Sequence, residues 1–334
     1  MVLSVCLVFF ILSVFFYNRI QYSVGDAEGI IEFEIKKGDN VLAVGDNLYE
    51  EGLISSKYYW LLYAWKAGLR GNIKAGSYAI DSKYTIPEVA LVVTGRGDVF
   101  EKPQVSVTFP EGWDVNKMKL RLSENGLSVD EFSSLVNDPM YFYDKYSYEF
   151  LMDIPEGQSL EGYLFPDTYF FYLDSTSEDI ISKMLDNFDK KLSQELRLSI
   201  GGQKKSIHEI ITMASVIEKE VKSEADKNIV GGIFQNRVSV GQPLQSCATL
   251  AYILGENKKQ YSYEDTKVES LYNTYLYPGL PPGPIANPGL SSIKAAVHPD
   301  DTDYNYFLSD PETGETVFSV TLDEHNLNKD RTGL

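Results

Sequence analysis

The stretch from residue 206 to 226 constrains the fold most, because it is an apolar helical pattern that carries two carboxylates. Ser206 followed by Glu209 forms a capping box, which predicts that a helix starts there. One apolar stripe then recurs at helical spacing, made of Ile207, Ile210, Ile211, Ala214, Ile217 and Val221. Glu218 falls inside this stripe and Glu220 falls on a second apolar flank, so the pattern places both acids among apolar neighbours.

These two glutamates suit acid catalysis if their neighbours remove them from water. Desolvation raises the pKa of a carboxyl group, and a raised pKa lets the group donate a proton near neutral pH. Cleavage of an acetal needs such a donor. The alternative is that one or both side chains point to solvent or pair with Lys219 or Lys222.

The sequence of the amino terminus predicts a membrane anchor. Residues 2–17 are apolar or small and carry no charge, and Asn18 and Arg19 end the run. Its length is near the lower end of the roughly 17–25 residues that cross a bilayer. No small-residue cleavage site follows, which favours an uncleaved transmembrane helix over residues 1–20. Charge alone does not set its orientation, because no Lys or Arg precedes it.

Composition excludes several classes of protein. The formal net charge of −18 argues against binding nucleic acid, whose phosphates would be repelled. The two cysteines are Cys6, in the predicted membrane segment, and Cys247, in the predicted soluble part, so a disulfide framework is excluded. The histidines, His208, His298 and His325, are scattered, which argues against a metal site and against a Ser-His-Asp triad. We therefore expect no metal and no cofactor.

Residues 30–100 form a small α+β pattern. Residues 30–35 alternate like a strand, a KKGD turn follows, and helices and a second strand complete the unit. This outline resembles the LysM-like module, which often binds glycan in cell-wall proteins. A purely structural spacer is the equally supported alternative.

The longer part of the chain, residues 104–334, mixes both kinds of element. We predict a strand and turn over 104–113, a single charged amphipathic helix over 178–198 and a hairpin-like segment over 241–254. Two strands joined by a Pro-Glu-Thr-Gly turn are predicted near the carboxyl terminus.

Two segments have the composition of a polysaccharide groove. Residues 161–169 place Glu161 and Asp167 among aromatic side chains, whose faces pack on sugar rings while acids bind hydroxyls. A core strand with surface tyrosines has the same composition. Residues 279–289 are rich in Pro and Gly, so their backbone is expected to be rigid. Such a segment forms either the wall of a binding site or an ordinary connection between domains. Its low polarity favours the wall of a site.

Seven blocks of the chain carry a resemblance to one family. In chain order they are EGYLFPDTY (161–169), ASVIEKE (214–220), FQNRV (234–238), PLQS.AT (243–249), YNTY (272–275), GLPPGPIANPG (279–289) and SIKAAVHP (292–299). The chain resembles the YceG-like endolytic murein transglycosylases over nearly its whole length. The fold class implied is α+β, with an N-terminal transmembrane helix at 1–20, a LysM-like module at 30–100 and a larger mixed α+β catalytic domain at 104–334.

The resemblance implies an activity and its residues. Such enzymes cut the β-1,4 bond between N-acetylmuramic acid and N-acetylglucosamine and leave a 1,6-anhydro-muramyl end, with one glutamate as acid and then base. The family's catalytic position matches Glu220, although periodicity alone favours Glu218, which is kept as a supporting carboxylate or alternative. Candidates for sugar binding, besides Glu161 and Asp167, are Gln245, Ser246, Asn273 and Tyr275. Cys247 is expected to be a small buried hydrophobe.

The expected partners follow from the same resemblance. They are peptidoglycan glycan strands, the plasma membrane through a single N-terminal helix, and cell-wall synthases such as penicillin-binding proteins, with the catalytic domain outside the cytoplasm. A hydrolytic muramidase that uses Asp167 or Glu161 to activate water remains an alternative. A non-catalytic, membrane-anchored scaffold that binds glycan is another.

Overall fold

A computed structural model describes Val14, Lys258 and residues 17–21, 24–96, 103–256 and 261–333. The predicted anchor at 1–20 lies mostly outside these residues. Within the described part, no helix is both long and apolar enough to cross a membrane. The chain divides into two compact units, Met1–Pro103 and Gln104–Leu334.

In the described part of the first unit, helices and a two-stranded sheet share one hydrophobic core. Its elements are β1 (Ile30–Ile35), α1 (Val41–Glu50), α2 (Lys57–Ala67), β2 (Gly76–Asp81) and α3 (Ile86–Val93). The strands are antiparallel with Phe33 opposite Tyr78, and the alternation of β1 buries Phe33 and Ile35. Trp60 is fully buried and its indole N–H donates to the carbonyl of Val41, 2.9 Å away. A small α+β fold is thus present, whereas the LysM-like identity stays a prediction.

The second unit begins with a strand and a group of helices that support its core. These elements are β3 (Gln104–Thr108), α4 (Val115–Glu124), α5 (Phe132–Val136), α6 (Pro139–Tyr146), β4 (Thr168–Tyr172), α7 (Ser177–Lys191) and α8 (Gln194–Gly202). Strands β3 and β4 are antiparallel, with Val107 opposite Tyr169. Both of these side chains are buried in the unit's hydrophobic core.

The rest of the second unit surrounds the predicted acidic helix. Its elements are α9 (Ile207–Glu220), α10 (Glu224–Ser239), α11 (Cys247–Leu254), α12 (Leu290–Val297), β5 (Tyr306–Ser309), β6 (Thr316–Ser319) and α13 (Leu322–Thr332). Helix α12 packs against both α9 and α10. Gly231 permits this approach, because a Cβ atom there would lie 2.7 Å from the carbonyl oxygen of Ala295.

Two predictions about these elements were wrong. The single helix over 178–198 is two helices, because the Ser193 side chain accepts from the amide of Leu196 and caps a new start. The hairpin-like segment contains helix α11, whose sequence CATLAYIL is rich in good helix formers. Helix α13, whose first turn is capped by Thr321, was not predicted.

Candidate active site

Glu220 is the last residue of α9, and the helix fixes where its carboxylate lies. The predicted capping box at the other end is present, with Ser206 and Glu209 satisfying each other's amides. Nine of the helix residues are buried, including Ile217, and Val221 beyond its end is buried as well. The carboxylate of Glu220 accepts a hydrogen bond from the hydroxyl of Ser246, just before α11. Glu220 therefore lies where two helix ends meet.

A cavity of about 360 Å³ opens at this carboxylate. Four predicted site residues line it together: Glu220, Gln245, Ser246 and Tyr275. The other lining residues are Phe234, Arg237, Leu244, Cys247, Tyr306, Phe307, Leu308, His325 and Lys329. Glu220 is the sole carboxylate among these described lining residues, and the charged groups around it are cationic.

The segment 272–275 holds the loop that carries Ser246. The amide of Gln245 donates to the carbonyl of Thr274 at 3.0 Å, and the amide of Ser246 donates to the Thr274 hydroxyl at 3.0 Å. Gln245 has a φ of 52°, a left-handed conformation that these bonds stabilise. Asn273 is buried, and its amide donates to the carbonyls of Thr266 and Val268. The Asn273 side chain thus stabilises the 266–275 loop through these two hydrogen bonds, and it does not line the cavity.

The surroundings raise the pKa of Glu220. Burial is the main cause, because it penalises the charged form. The hydrogen bond from Ser246, the amide of Ala248 and the charge of Arg237 oppose the shift. The site therefore favours a protonated acid while keeping donors ready for the carboxylate that remains after proton transfer.

Arg237 joins three parts of the cavity wall. It projects from α10, is buried, and donates to the carbonyls of Leu244 and Asn305 at 2.5 and 2.7 Å. The first bond fixes the loop that leads to Ser246, and the second fixes the chain before β5. Its Nε atom is buried without a hydrogen-bond partner.

Helix α13 supplies the remaining polar wall of the cavity. His325 stacks on Tyr306 with ring centroids 5.3 Å apart, and its Nδ1 atom is buried without a partner. Burial and the charges of Lys329 and Arg237 lower the pKa of His325, which favours its neutral ring.

Glu218 has a different environment from Glu220. It forms a buried ion pair with Lys227 at 3.0 Å, with side chains 8 % and 3 % exposed respectively. Its carboxylate also accepts from the Gly289 amide at 3.0 Å and from the Ser292 hydroxyl at 2.6 Å. Glu218 therefore ties the end of α9 to α10 and to the start of α12, and it does not line the cavity.

Glu161 is also engaged by protein donors. It is 3 % exposed, and its carboxyl oxygens accept from the amide of Val115 at 3.1 Å and from the side chain of Asn287 at 2.9 Å. Burial is the largest cause that raises the pKa of Glu161, to about 8. Asn287 also accepts from the amides of Gly162 and Leu164, so it fastens the 279–289 segment to the 161–164 turn.

The last two predicted positions lie in different settings. Asp167 accepts from Asn187 at 3.1 Å and lies 3.5 Å from Lys191, away from the residues that line the cavity. Cys247 is exposed, which contradicts the buried hydrophobe expected there, because the first turn of α11 opens on the cavity. Its Sγ atom lies 3.1 Å from the hydroxyl of Tyr275.

Sequence reasoning missed several residues of this wall. Arg237 lies within the quoted block FQNRV, so that block was the signal that could have identified it. Tyr306, His325 and Lys329 lie in a tail that carries no motif, and only the tertiary fold brings them to the cavity. Among the described residues, no group of three or more His, Cys, Asp or Glu side chains is arranged to hold a metal ion.

Comparison with known proteins identifies the family of this chain. A sequence model of the YceG-like family matches residues 33–331. The endolytic murein transglycosylase of Bacillus subtilis is 33 % identical over 317 residues, which cover 92 % of this chain and 86 % of that protein. The chain belongs to the YceG-like family.

Two further relatives extend the comparison. The endolytic murein transglycosylase of Streptococcus pneumoniae D39 is 28 % identical over 88 % of this chain, which spans 57 % of that longer protein. The crystal structure of a YceG-like protein from Listeria monocytogenes aligns with a TM-score of 0.62 at 31 % identity. The alignment covers 91 % of this chain and all of the Listeria chain.

Proposed function

We propose that the chain is an endolytic murein transglycosylase and that Glu220 is its acid and base. The relatives from Bacillus and Streptococcus carry this name, and the family match covers both units. The observation that carries the residue assignment is the cavity itself, which presents one carboxyl group with a raised pKa.

In the proposed reaction, Glu220 first donates its proton to the glycosidic oxygen between N-acetylmuramic acid and N-acetylglucosamine. The bond from the muramyl C1 to that oxygen breaks, and the N-acetylglucosamine leaves with a hydroxyl group. The Glu220 carboxylate then removes the proton of the muramyl C6 hydroxyl, while the oxygen of that hydroxyl bonds to the muramyl C1. The products are a 1,6-anhydro-muramyl end and a new N-acetylglucosamine end, and no water is consumed.

The cavity residues suit the charge changes of this cycle. After proton donation the carboxylate is stabilised by the Ser246 hydroxyl and by the charge of Arg237. Gln245 and Tyr275 line the same cavity and are proposed to bind the sugar rings and their hydroxyls.

A hydrolytic muramidase is the competing reaction, and the cavity favours it less. Ordinary glycosidases use two carboxyl groups that flank the scissile bond. The two candidates for the second group, Glu161 and Asp167, bind protein donors elsewhere and do not line the cavity. A one-acid mechanism needs only Glu220.

The proposed location follows from the substrate. Residues 1–20 are proposed to anchor the chain in the plasma membrane, with its enzymatic unit outside the cytoplasm. There it would end the elongation of nascent strands close to the synthases that make them, and such synthases are its proposed partners. A LysM-like role in glycan binding for residues 30–100 remains part of the same proposal.

Product analysis of digested uncrosslinked strands tests this function. We expect wild-type protein to yield anhydro-muramyl ends, and Glu220→Gln to lower kcat by about 10²–10⁴-fold, the typical contribution of a positioned acid. Glu224→Gln, an exposed glutamate four residues on, is the matched control and should retain activity. Reducing muramyl ends would show hydrolysis instead, and absence of wild-type cleavage would favour the scaffold.

A further inference from the structure

Helix α2 presents an exposed apolar stripe that its own unit does not use. Tyr58, Leu62 and Trp65 are 72 %, 52 % and 77 % exposed. At 3.6 residues per turn, these three positions fall within an arc of about 60°. They form one continuous face along the helix.

The rest of α2 already supplies the packing of the unit. Trp60 and Ala64 are buried in the core on the opposite side, while the stripe stays outside it. Next to the stripe, Leu42 is 57 % exposed and joins Trp65 in lining a shallow cavity of about 730 Å³. The exposed apolar surface therefore continues from α2 onto α1.

The chain itself indicates what covers this face. The uncharged apolar run of residues 2–17 ends at Tyr17. The Nζ atom of Lys66 lies over the ring of Tyr17, 5.5 Å from its centroid. The stripe on α2 therefore lies close to the point where the apolar run ends.

The composition of the stripe fits the interface of a bilayer. Trp and Tyr concentrate at the level of lipid headgroups, where an amphipathic ring has one apolar side and one wet side. Lys66 and Arg70 are exposed at the carboxyl end of the helix, where cations meet anionic headgroups. The remainder of this acidic protein would be repelled by such a surface, so contact through this face is selective.

We propose that the stripe formed by Tyr58, Leu62 and Trp65 lies in the headgroup region of the lipid bilayer and holds the first unit on the membrane. This contact adds a second attachment to the anchor proposed for residues 1–20. It involves no residue of the catalytic cavity, so it stands apart from the proposed reaction, and it rests on the proposed location only in placing the chain at a membrane.

Fluorescence of Trp65 in the full chain tests the contact. The protein is reconstituted into vesicles of phosphatidylcholine and phosphatidylglycerol, with or without bromine on the upper acyl carbons. Trp60 and Trp113 contribute equally to the spectra of the wild type and of Trp65→Phe. The difference between the two spectra is therefore the emission of Trp65. We expect bromolipid to lower the Trp65 emission about twofold, since interfacial helices bury their apolar face in this zone.

Two double variants make the test specific. Tyr58→Ser with Leu62→Ser should remove most of the quenching, whereas Tyr263→Ser with Leu271→Ser, an equally exposed pair in the second unit, should not. Flotation with the vesicles but an unquenched Trp65 overturns the contact and leaves the anchor intact. Failure to float overturns both. A Trp65 emission that changes when glycan strands are added, but not when bromolipid is present, also overturns the contact and indicates a sugar site.

Discussion

At the scale of single residues, two glutamates two positions apart on α9 have opposite surroundings. Glu218 binds a lysine, a hydroxyl and a backbone amide, so its charge is fully compensated inside the protein. Glu220 faces a cavity with one hydroxyl donor, and burial raises its pKa. The difference supports the proposal that Glu220, which opens on the cavity, is the acid, although Glu218 lies inside the main apolar stripe.

Ser246→Ala should change the pH dependence of cleavage. The Ser246 hydrogen bond favours the charged form of Glu220, so its loss should raise the Glu220 pKa further. We expect the alkaline limb of the kcat/KM profile, where the acid loses its proton, to move to higher pH.

Ser239→Ala is the control for that profile. Ser239 is exposed at the end of α10 and donates to the carbonyl of Asn236, so its loss should leave both limbs in place. An unchanged alkaline limb in Ser246→Ala would mean that this limb does not report Glu220.

Glu161→Gln should remove part of the pH dependence of stability. The folded pKa of Glu161, about 8, lies above its ordinary value of 4.5, so the folded state binds a proton that the unfolded state releases. Its contribution is present below about pH 4.5 and is lost as pH rises toward about 8, at up to roughly 1.4 kcal/mol per pH unit. Urea unfolding of both proteins from pH 4 to 9 measures the difference, and parallel curves would contradict a raised pKa.

The location of the acidic helix was predictable because it depended on a local sequence pattern. The stripe and capping box located α9, and the family resemblance selected Glu220 over Glu218. Glu161 and Asn273 remain predicted sugar ligands, yet their polar atoms are engaged by Asn287, Val115, Thr266 and Val268. Such long-range partners have no local signature in the sequence.

At the scale of elements, the Lys227–Glu218 pair connects three helices near the active site. Lys227 projects from α10 and also donates to Ser291 at 2.9 Å, while Glu218 binds the amide that begins α12. Removing Lys227 leaves the Glu218 carboxylate buried without a cation, with only neutral donors beside it. We expect Lys227→Met to lower the free energy of unfolding by about 3–5 kcal/mol, measured by urea denaturation.

The double variant Glu218→Gln with Lys227→Met separates the pair from general loss of packing. If the cost arises from the uncompensated charge, the double variant should be more stable than Lys227→Met alone. Additive losses would contradict coupling between the two side chains.

Secondary-structure elements were predicted correctly where the periodicity and the capping residues agreed. The prediction failed where a single capping residue ended a continuous pattern. Strand β1 and helix α9 follow from alternation and from a capping box. The break between α7 and α8 depends on one serine within a continuous charged pattern, which periodicity alone does not detect. The two tail strands are confirmed as the antiparallel pair β5 and β6.

At the scale of the whole molecule, each unit has a hydrophobic core of its own. The described residues that line the cavity around Glu220 all belong to the second unit, from Glu220 to Lys329. The mixed α+β character and the family were predictable from ordered motifs. The joining of the carboxyl-terminal tail to this cavity was not, because it depends on packing between segments far apart in sequence.

A fragment of residues 104–334 should therefore fold and cleave without the first unit. Its core and all described residues of the catalytic cavity lie within these limits, so we expect a single cooperative thermal transition and a kcat on soluble strands within about threefold of the full chain. Circular dichroism and product analysis measure the two properties, and Glu220→Gln within the fragment shows that the residual activity uses the same acid. A fragment that melts without cooperativity, or that folds but is inactive, would show that the first unit completes the fold or the active site.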